Sequence, residues 1–295
     1  GFVSIVGRPT VGKSTLLNAF LGRKLAIVSD KPQTTRTRIQ GVLHLEAGQI
    51  VFLDTPGIHK PDSLINKRMM KEVRAALDGL DVALFVADAT QQFVARDREA
   101  AGLLEGVRTP AILLLNKIDL AKHKAGLLPL MDHYRQAERF EEMFPVSALT
   151  GEGLEKVREA LLARLPAGPR YFPEDHITDQ PERFFAAELV RDKVLQETRQ
   201  EVPHAVMVQV ESWEETPRLL TIAAVVFVER NGQKAIVIGA RGAMLKKIGT
   251  LARQELERLL GRKIYLELFV KVRPKWREDP AFVQAIDWRG REGLS

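Results

Sequence analysis

Gly7-Arg8-Pro9-Thr10-Val11-Gly12-Lys13-Ser14 stands between an apolar, β-rich run, Phe2–Val6, and a helical pattern over Lys13–Leu21. It fits G-x-x-x-x-G-K-[ST], with the strand before and the helix after that the pattern requires. Glycines let backbone N–H groups curl towards a polyphosphate. Lys13 supplies a point charge for the β- and γ-phosphates, and the Ser14 hydroxyl can ligate Mg²⁺. The helix beginning at Lys13 adds its positive dipole end. Gly7 through Thr15 are therefore candidate nucleotide-binding residues, where a bare glycine turn would need neither flank.

Working outward, the same alternation repeats. Strand-like runs appear at Ile50–Leu53, Val82–Ala87, Ala111–Leu115 and Met143–Val146. Helical patterns appear at Ser63–Leu77, Arg96–Leu104 and Leu154–Leu165. Alternating strands and helices predict an α/β fold, a mostly parallel sheet with helices on both faces. Ligands on such sheets bind at the carboxyl ends of the strands.

The loops at those ends carry the remaining chemistry. Asp54-Thr-Pro-Gly57 closes the strand Ile50–Leu53, placing Asp54 to hold Mg²⁺ through water and Gly57 to offer its N–H to a γ-phosphate. Alone this would be an ordinary turn; after the phosphate motif it reads as part of the site. Thr35, in Gln33-Thr-Thr-Arg-Thr-Arg38, can ligate Mg²⁺ and sense the γ-phosphate, with Thr34 a close rival. Lys13, Thr35 and Gly57 are the catalytic candidates, and Ser14, Thr35 and Asp54 the metal ligands. Asn116-Lys117-Ile-Asp119 selects the base. A carboxylate at Asp119 can accept from guanine N1–H and N2–H₂, a donor pair that adenine lacks, and an unpaired carboxylate makes such discrimination large. Asn116 braces the loop, the Lys117 stem can cover the ring, and after Ser147 the Ala148 N–H can reach guanine O6. Many GTPases place a Gln after the glycine of the second motif to orient the attacking water; here that position is Ile58, so hydrolysis alone is expected to be slow, or the chain to act as a binding switch with negligible turnover.

Leu165 to Pro181 holds four prolines without apolar periodicity, which reads as a linker. Behind it come a helix over Glu182–Glu201, strands over Ala205–Glu211 and Arg218–Glu229, and a turn at Asn231-Gly232. Ala235–Ile238 is strand-like by propensity but short enough to be a buried helical turn. A basic helix over Met244–Leu260, stopped by Gly261, and a strand over Ile264–Val272 complete the pattern. The predicted domains are 1–166, a linker 167–181, and 182–295.

Charge separates the two parts. The whole chain carries +6, yet Gly232–Ser295 alone holds 14 Lys/Arg against 7 Asp/Glu. That asymmetry points to a polyanionic partner at this end, or to a solvated basic face. Within it lies Val237-Ile-Gly239-Ala240-Arg241-Gly242-Ala-Met-Leu-Lys246-Lys247-Ile-Gly249. A G-x-x-G turn lets backbone approach a nucleic-acid backbone, and in KH modules it clamps about four nucleotides. Arg241, Lys246 and Lys247 can neutralise phosphates, so Gly239, Ala240, Arg241, Gly242, Lys246 and Lys247 are the RNA-binding candidates. A membrane or protein docking site is the rival reading of this module. Trp276 and Trp288 suit packing as well as base stacking, and Arg273, Lys275 and Arg277 suit either a basic face or a solvated edge. The chain has no cysteine, which excludes disulfides and thiolate metal sites. Its longest apolar runs, such as Ile222–Val228, are strand-sized, well short of the ~20 residues of a spanning helix.

In this order, G-R-P-T-V-G-K-S-T, P-Q-T-T-R-T-R, D-T-P-G-I-H, N-K-I-D, S-A-L and V-I-G-A-R-G-A-M-L-K-K-I-G, the chain resembles the Era family of bacterial GTPases over nearly its whole length. The resemblance implies a Ras-like P-loop GTPase domain followed by an α+β type II KH domain, and a helix at Ala235–Ile238. It implies GTP/GDP and Mg²⁺ as ligands, binding near the 3′ end of small-subunit ribosomal RNA, and a role in assembling the 30S subunit and maturing its RNA. It implies a cytoplasmic protein with loose attachment to the inner face of the membrane. Few features hint at self-association, so a monomer is expected. Relatives usually carry Asn at Thr10, where it is associated with K⁺ beside the phosphates; the Thr10 hydroxyl replaces that amide and weakens the case for K⁺.

Overall fold

Strand β1 (Phe2–Gly7) runs through the middle of a six-stranded sheet of order β2-β3-β1-β4-β5-β6, with β2 Ile39–Leu45, β3 Gly48–Asp54, β4 Val82–Asp88, β5 Ala111–Asn116 and β6 Glu142–Pro145. This computed structural model describes residues 1–286 and 288, apart from 32, 106, 122–125, 138–139 and 199–201. All pairings are parallel except β2 with β3. Every residue of β4 and β5 is buried, as strands covered on both faces require. One face packs α1 (Lys13–Leu21) and α5 (Leu154–Leu162) through Leu16, Leu17, Val157 and Leu161. The other packs α2 (Leu64–Leu77), α3 (Ala95–Ala101) and α4 (Leu127–Ala137) through Val73, Ala100 and Tyr134. The order leaves β1 towards β3 on one side and β4 on the other, so a crevice opens over the carboxyl end of β1, where Gly7–Ser14 sits.

The chain separates into two compact units: Gly1–Val28, Thr35–Asp62 and Asn66–Asp179 in one, and Ser29–Thr34, Ser63–Ile65 and Gln180–Ser295 in the other. The proline-rich segment belongs to the first unit up to Asp179. It lies along β2: Val42 N donates to Ile177 O (2.8 Å) and Thr178 Oγ1 to Gln40 O (2.7 Å). The buried Gln49 side chain accepts from Tyr171 N (2.9 Å) and Phe172 N (3.1 Å), meeting the backbone needs of a stretch with little of its own secondary structure.

The second unit begins with α6 (Glu182–Glu197) and a short α7 (Val202–Ala205). Three strands follow in the order β7-β8-β9: β7 (Met207–Glu215) antiparallel to β8 (Leu220–Val228), and β9 (Ile264–Val272) parallel to it. α8 (Asn231–Ile238) and α9 (Ala243–Leu260) come between β8 and β9, and α10 (Pro280–Gln284) comes last. The helix expected through Glu201 ends at Glu197, where the Thr198 hydroxyl donates to Val194 O; residues 199–201 and the last seven residues of the predicted 182–295 domain lie outside the described residues. Asn231-Gly232, expected as a turn, is instead the first turn of α8, and Ala235–Ile238 is helical. Gln233 Oε1 accepts from Glu229 N and Arg230 N and opens this helix. Val237, fully buried beside Val226 and Val228, outweighs the strand propensity of its neighbours.

Candidate functional site

Gly12, at φ 100°, leads into α1, and a Cβ there would fall 2.3 Å from Asn116 Nδ2. Glycine is thus needed twice over, for the left-handed backbone and for the approach of the Asn116 side chain. Lys13 is buried and its Nζ donates to Gly7 O (3.1 Å) and Arg8 O (2.8 Å), so it curls back over the loop that would cradle phosphates. Ser14 Oγ donates to Asp54 Oδ2 at 2.6 Å and lies 2.8 Å from Thr35 Oγ1. The structure thereby separates the two threonines: Thr35 joins this cluster, whereas the Thr34 hydroxyl caps Lys31 O.

Ser14, Thr35 and Asp54 present hydroxyl and carboxylate oxygens, the hard donors Mg²⁺ takes. Asp54 is fully buried, and its Oδ1 has no hydrogen-bond partner among the described residues. A buried acceptor left in that state fits a cation or its water shell. Burial raises the Asp54 carboxyl to about 6 against the opposing charge of Lys13. Burial likewise lowers the Lys13 ammonium to about 8 against the charge of Asp54. Gly57 lies against the loop from the other side: a Cβ on it would fall 2.7 Å from Pro9 Cα, and Ile58 N donates to Gly7 O.

Asn116 joins three pieces of the site. Its Nδ2 donates to Val11 O, and its Oδ1 accepts from Ala148 N, both at 2.8 Å. The Ala148 N–H, expected at guanine O6, is here engaged by Asn116. Lys117, in the left-handed region at φ 70°, donates to Thr10 O and to Asp88 Oδ2, each at 2.7 Å. Asp119 is exposed and held by the Ser147 hydroxyl at 2.6 Å. Asp88 was missed in the sequence; its trace was its place at the carboxyl end of β4. Val11 is buried, and Thr15 is on the first turn of α1.

In the second unit the turn at Gly239–Gly242 is built from left-handed backbone, with Gly239 at φ 72°, Arg241 at φ 51° and Gly242 at φ 80°. Beside it lies a groove of ≈ 370 Å³ lined by Gly242, Leu245, Lys246, Gly249, Thr250, Arg253, Leu266 and Leu268. Its leucines offer an apolar floor for bases, and Lys246 and Arg253 a cationic rim. Arg241 and Lys246 are exposed, while Lys247 is paired with Glu197 of α6. Trp276 is a packing anchor, fully buried with its Nε1 donating to Ala205 O. Arg273 is paired with Asp279 and Arg277 with Glu229.

The family descriptions that match are 50S ribosome-binding GTPase over residues 2–117 and KH domain over residues 201–277. GTPase Era of Geobacter metallireducens is 48% identical over 290 residues, 98% of this chain and 97% of that protein. GTPase Era of Geobacter sp. strain M21 is 50% identical over 292 residues, with the same coverage. This chain belongs to the GTPase Era family. Solved Era structures agree with it along almost their whole length. An Aquifex aeolicus Era variant bound to GDP and AlF₄⁻ matches with TM-score 0.94 and 42% identity, over 97% of this chain and 98% of that one. An Era in complex with MgGDPNP and nucleotides 1506–1542 of 16S ribosomal RNA matches with TM-score 0.94 and 42% identity, over 97% of both chains. As an Era family member the protein is a GTPase joined to a KH domain. Among the described residues no helix is long and apolar enough to cross a membrane.

Proposed function

We propose that this GTPase binds the 3′ end of small-subunit ribosomal RNA through its KH groove, and that its nucleotide state gates that grip during assembly and RNA maturation of the 30S subunit. The observation that carries the reading is the pairing, in one chain, of the Lys13–Ser14–Thr35–Asp54 cluster with a groove that has an apolar floor and a basic rim. The 42%-identical Era bound to MgGDPNP and 16S nucleotides supports both halves.

In this reading Gly7–Thr15 wraps the phosphates, Lys13 neutralises them, and Ser14, Thr35 and Asp54 hold Mg²⁺. Bound Mg²⁺ supplies positive charge at the β- and γ-phosphate oxygens. Gly57 offers its N–H to the γ-phosphate. Asn116, Lys117, Asp119 and Ala148 read guanine, with the Ser147 hydroxyl bracing Asp119. Gly239, Ala240, Arg241, Gly242 and Lys246 hold RNA, Lys247 contributing once released from Glu197. The protein works as a cytoplasmic monomer with at most peripheral contact at the inner membrane face.

Asp119→Asn should shift preference from GTP to xanthosine triphosphate; unchanged GTP selectivity would remove Asp119 from base reading. RNA binding with GDP and with a non-hydrolysable GTP analogue, to the native 3′ tail and to a scrambled oligonucleotide, tests the whole reading. Tighter binding to the native tail in the GTP-like state is expected. Equal binding in both states would leave a GTPase tethered to a passive RNA anchor, and no binding would reassign the groove.

A further inference from the structure

We propose that Arg8 is a positioning residue of the nucleotide loop, held in place by a buried carboxylate on the helix beside it, next to a buried phenol. The proposal rests on reading Gly7–Ser14 as the phosphate-binding loop. The motif asks for no particular residue at Arg8, yet the guanidinium Nη1 lies 2.9 Å from both oxygens of Asp97. Asp97 is 4% exposed and stands in the first turn of α3, where Oδ2 also accepts from Val94 N at 2.9 Å. Tyr134 of α4 is 2% exposed, and its phenol sits near the same carboxylate. One buried carboxylate thus ties the loop to the start of α3, with Tyr134 of α4 beside it. Desolvation largely offsets the attraction of such a pair, and its commoner value is in specifying one geometry.

The backbone of Arg8 carries that geometry into the site. Its carbonyl accepts from Lys13 Nζ at 2.8 Å, and the next residue, Pro9, is the one a Cβ on Gly57 would strike. Displacing Arg8 therefore moves the cation on the phosphates and the glycine facing the γ-phosphate. The other shoulder of the loop is held in the same way, Lys117 joining Thr10 O to Asp88. Two cation–carboxylate contacts clamp the loop, one on each side; the Lys117 side belongs to a recognised motif and the Arg8 side does not.

The test is release of a fluorescent GDP, with single-turnover GTP hydrolysis and thermal melting on the same full-length proteins. Arg8→Ala and Asp97→Asn should each speed GDP release by about fivefold to fiftyfold, and the double variant should release no faster than the faster single one, because the two act as a unit. Arg8→Lys and Tyr134→Phe should fall between these and the parent; they keep the test open if Asp97→Asn fails to fold. A fall in melting temperature with release unchanged would make the pair merely structural and overturn the proposal. Slower hydrolysis with release unchanged would overturn it too, placing Arg8 on the γ-phosphate itself, and additive effects would break the link to Asp97. Lys13→Ala is the control on the underlying reading: GTP binding that survives it would mean the loop itself is misread, whatever Arg8 does.

Discussion

Asp54 is the residue where burial and function meet most directly. Its ordinary carboxyl value is 3.8 and burial raises it to about 6, so between those values the folded chain holds a proton that the unfolded chain has released. Stability of the nucleotide-free protein from this group is therefore full below 3.8 and is lost as pH rises through about 6. Asp54→Asn should flatten that decline, checked by urea unfolding at pH 4.5 and pH 7 with nucleotide and Mg²⁺ removed. Lys13 has the opposite sign: lowered from 10.5 to about 8, it makes stability rise with pH across that interval. Thr10 tells a different story. It sits at φ 63°, in the left-handed region where a β-branched residue is strained and Asn is at ease. Thr10→Asn should raise stability by about 1 kcal/mol, read as a higher melting temperature. If an Asn amide recruits K⁺ beside the phosphates, the same variant should hydrolyse GTP faster in potassium than in sodium while the parent shows no such difference.

At the scale of elements, the two glycines of the G-x-x-G turn are not equivalent. A Cβ on Gly239 would fall 2.6 Å from Met244 Cβ and 2.9 Å from its backbone N, inside the start of α9, whereas one on Gly242 meets nothing within 4 Å. Both have positive φ, so both substitutions strain the backbone by about 1 kcal/mol. Gly239→Ala adds a backbone clash and should lower the melting temperature clearly more than Gly242→Ala, which should chiefly weaken RNA binding. This asymmetry was invisible in the string, where the two glycines read alike. α8 was half legible: Ala235-Ile-Val-Ile238 favours a strand locally, with a buried helical turn as the open alternative, and the Gln233 cap together with the burial of Val237 among the β8 side chains makes it a helix. β2 was missed because Ile39–Leu45 gains its place by pairing with β3 across a two-residue turn. α4 was missed because Pro129 in its first turn reads as a breaker, although Leu127, Leu130, Met131 and Tyr134 form an apolar stripe at helical spacing. The long strands β4 and β5 were legible because burial on both faces writes an unbroken apolar run.

At the scale of the molecule, charge and division of labour go together. The basic excess lies in Gly232–Ser295, but the structure neutralises much of it internally: Arg273, Arg277 and Lys247 are all in ion pairs. Free cationic groups count most towards phosphate binding, since each phosphate neutralised on a single strand contributes about 0.7 to the salt slope. Lys246→Ala should accordingly weaken RNA binding and reduce that slope by about this amount, with Lys247→Ala changing both less, measured by titration of the full chain between low and moderate salt. Equal effects would mean that RNA breaks the Glu197 pair without penalty.

The sequence by itself determined the chemistry of the nucleotide site, because phosphate cradling, Mg²⁺ ligation and guanine reading each demand particular residue types at strand ends in a fixed order. It determined the doubly covered sheet, because that burial imprints on composition, and it located the G-x-x-G turn beside its lysines. Only the tertiary structure decided which threonine meets Ser14, since Thr34 and Thr35 are neighbours in sequence and differ in direction. Only it brought Asp88 to Lys117, Asp97 and Tyr134 to Arg8, and Gln49 to the backbone of Tyr171 and Phe172. The physical reason is common to all of these. A motif constrains residues that touch the ligand, whereas the groups that hold those residues act through contacts between distant parts of the chain, where many local sequences serve equally well.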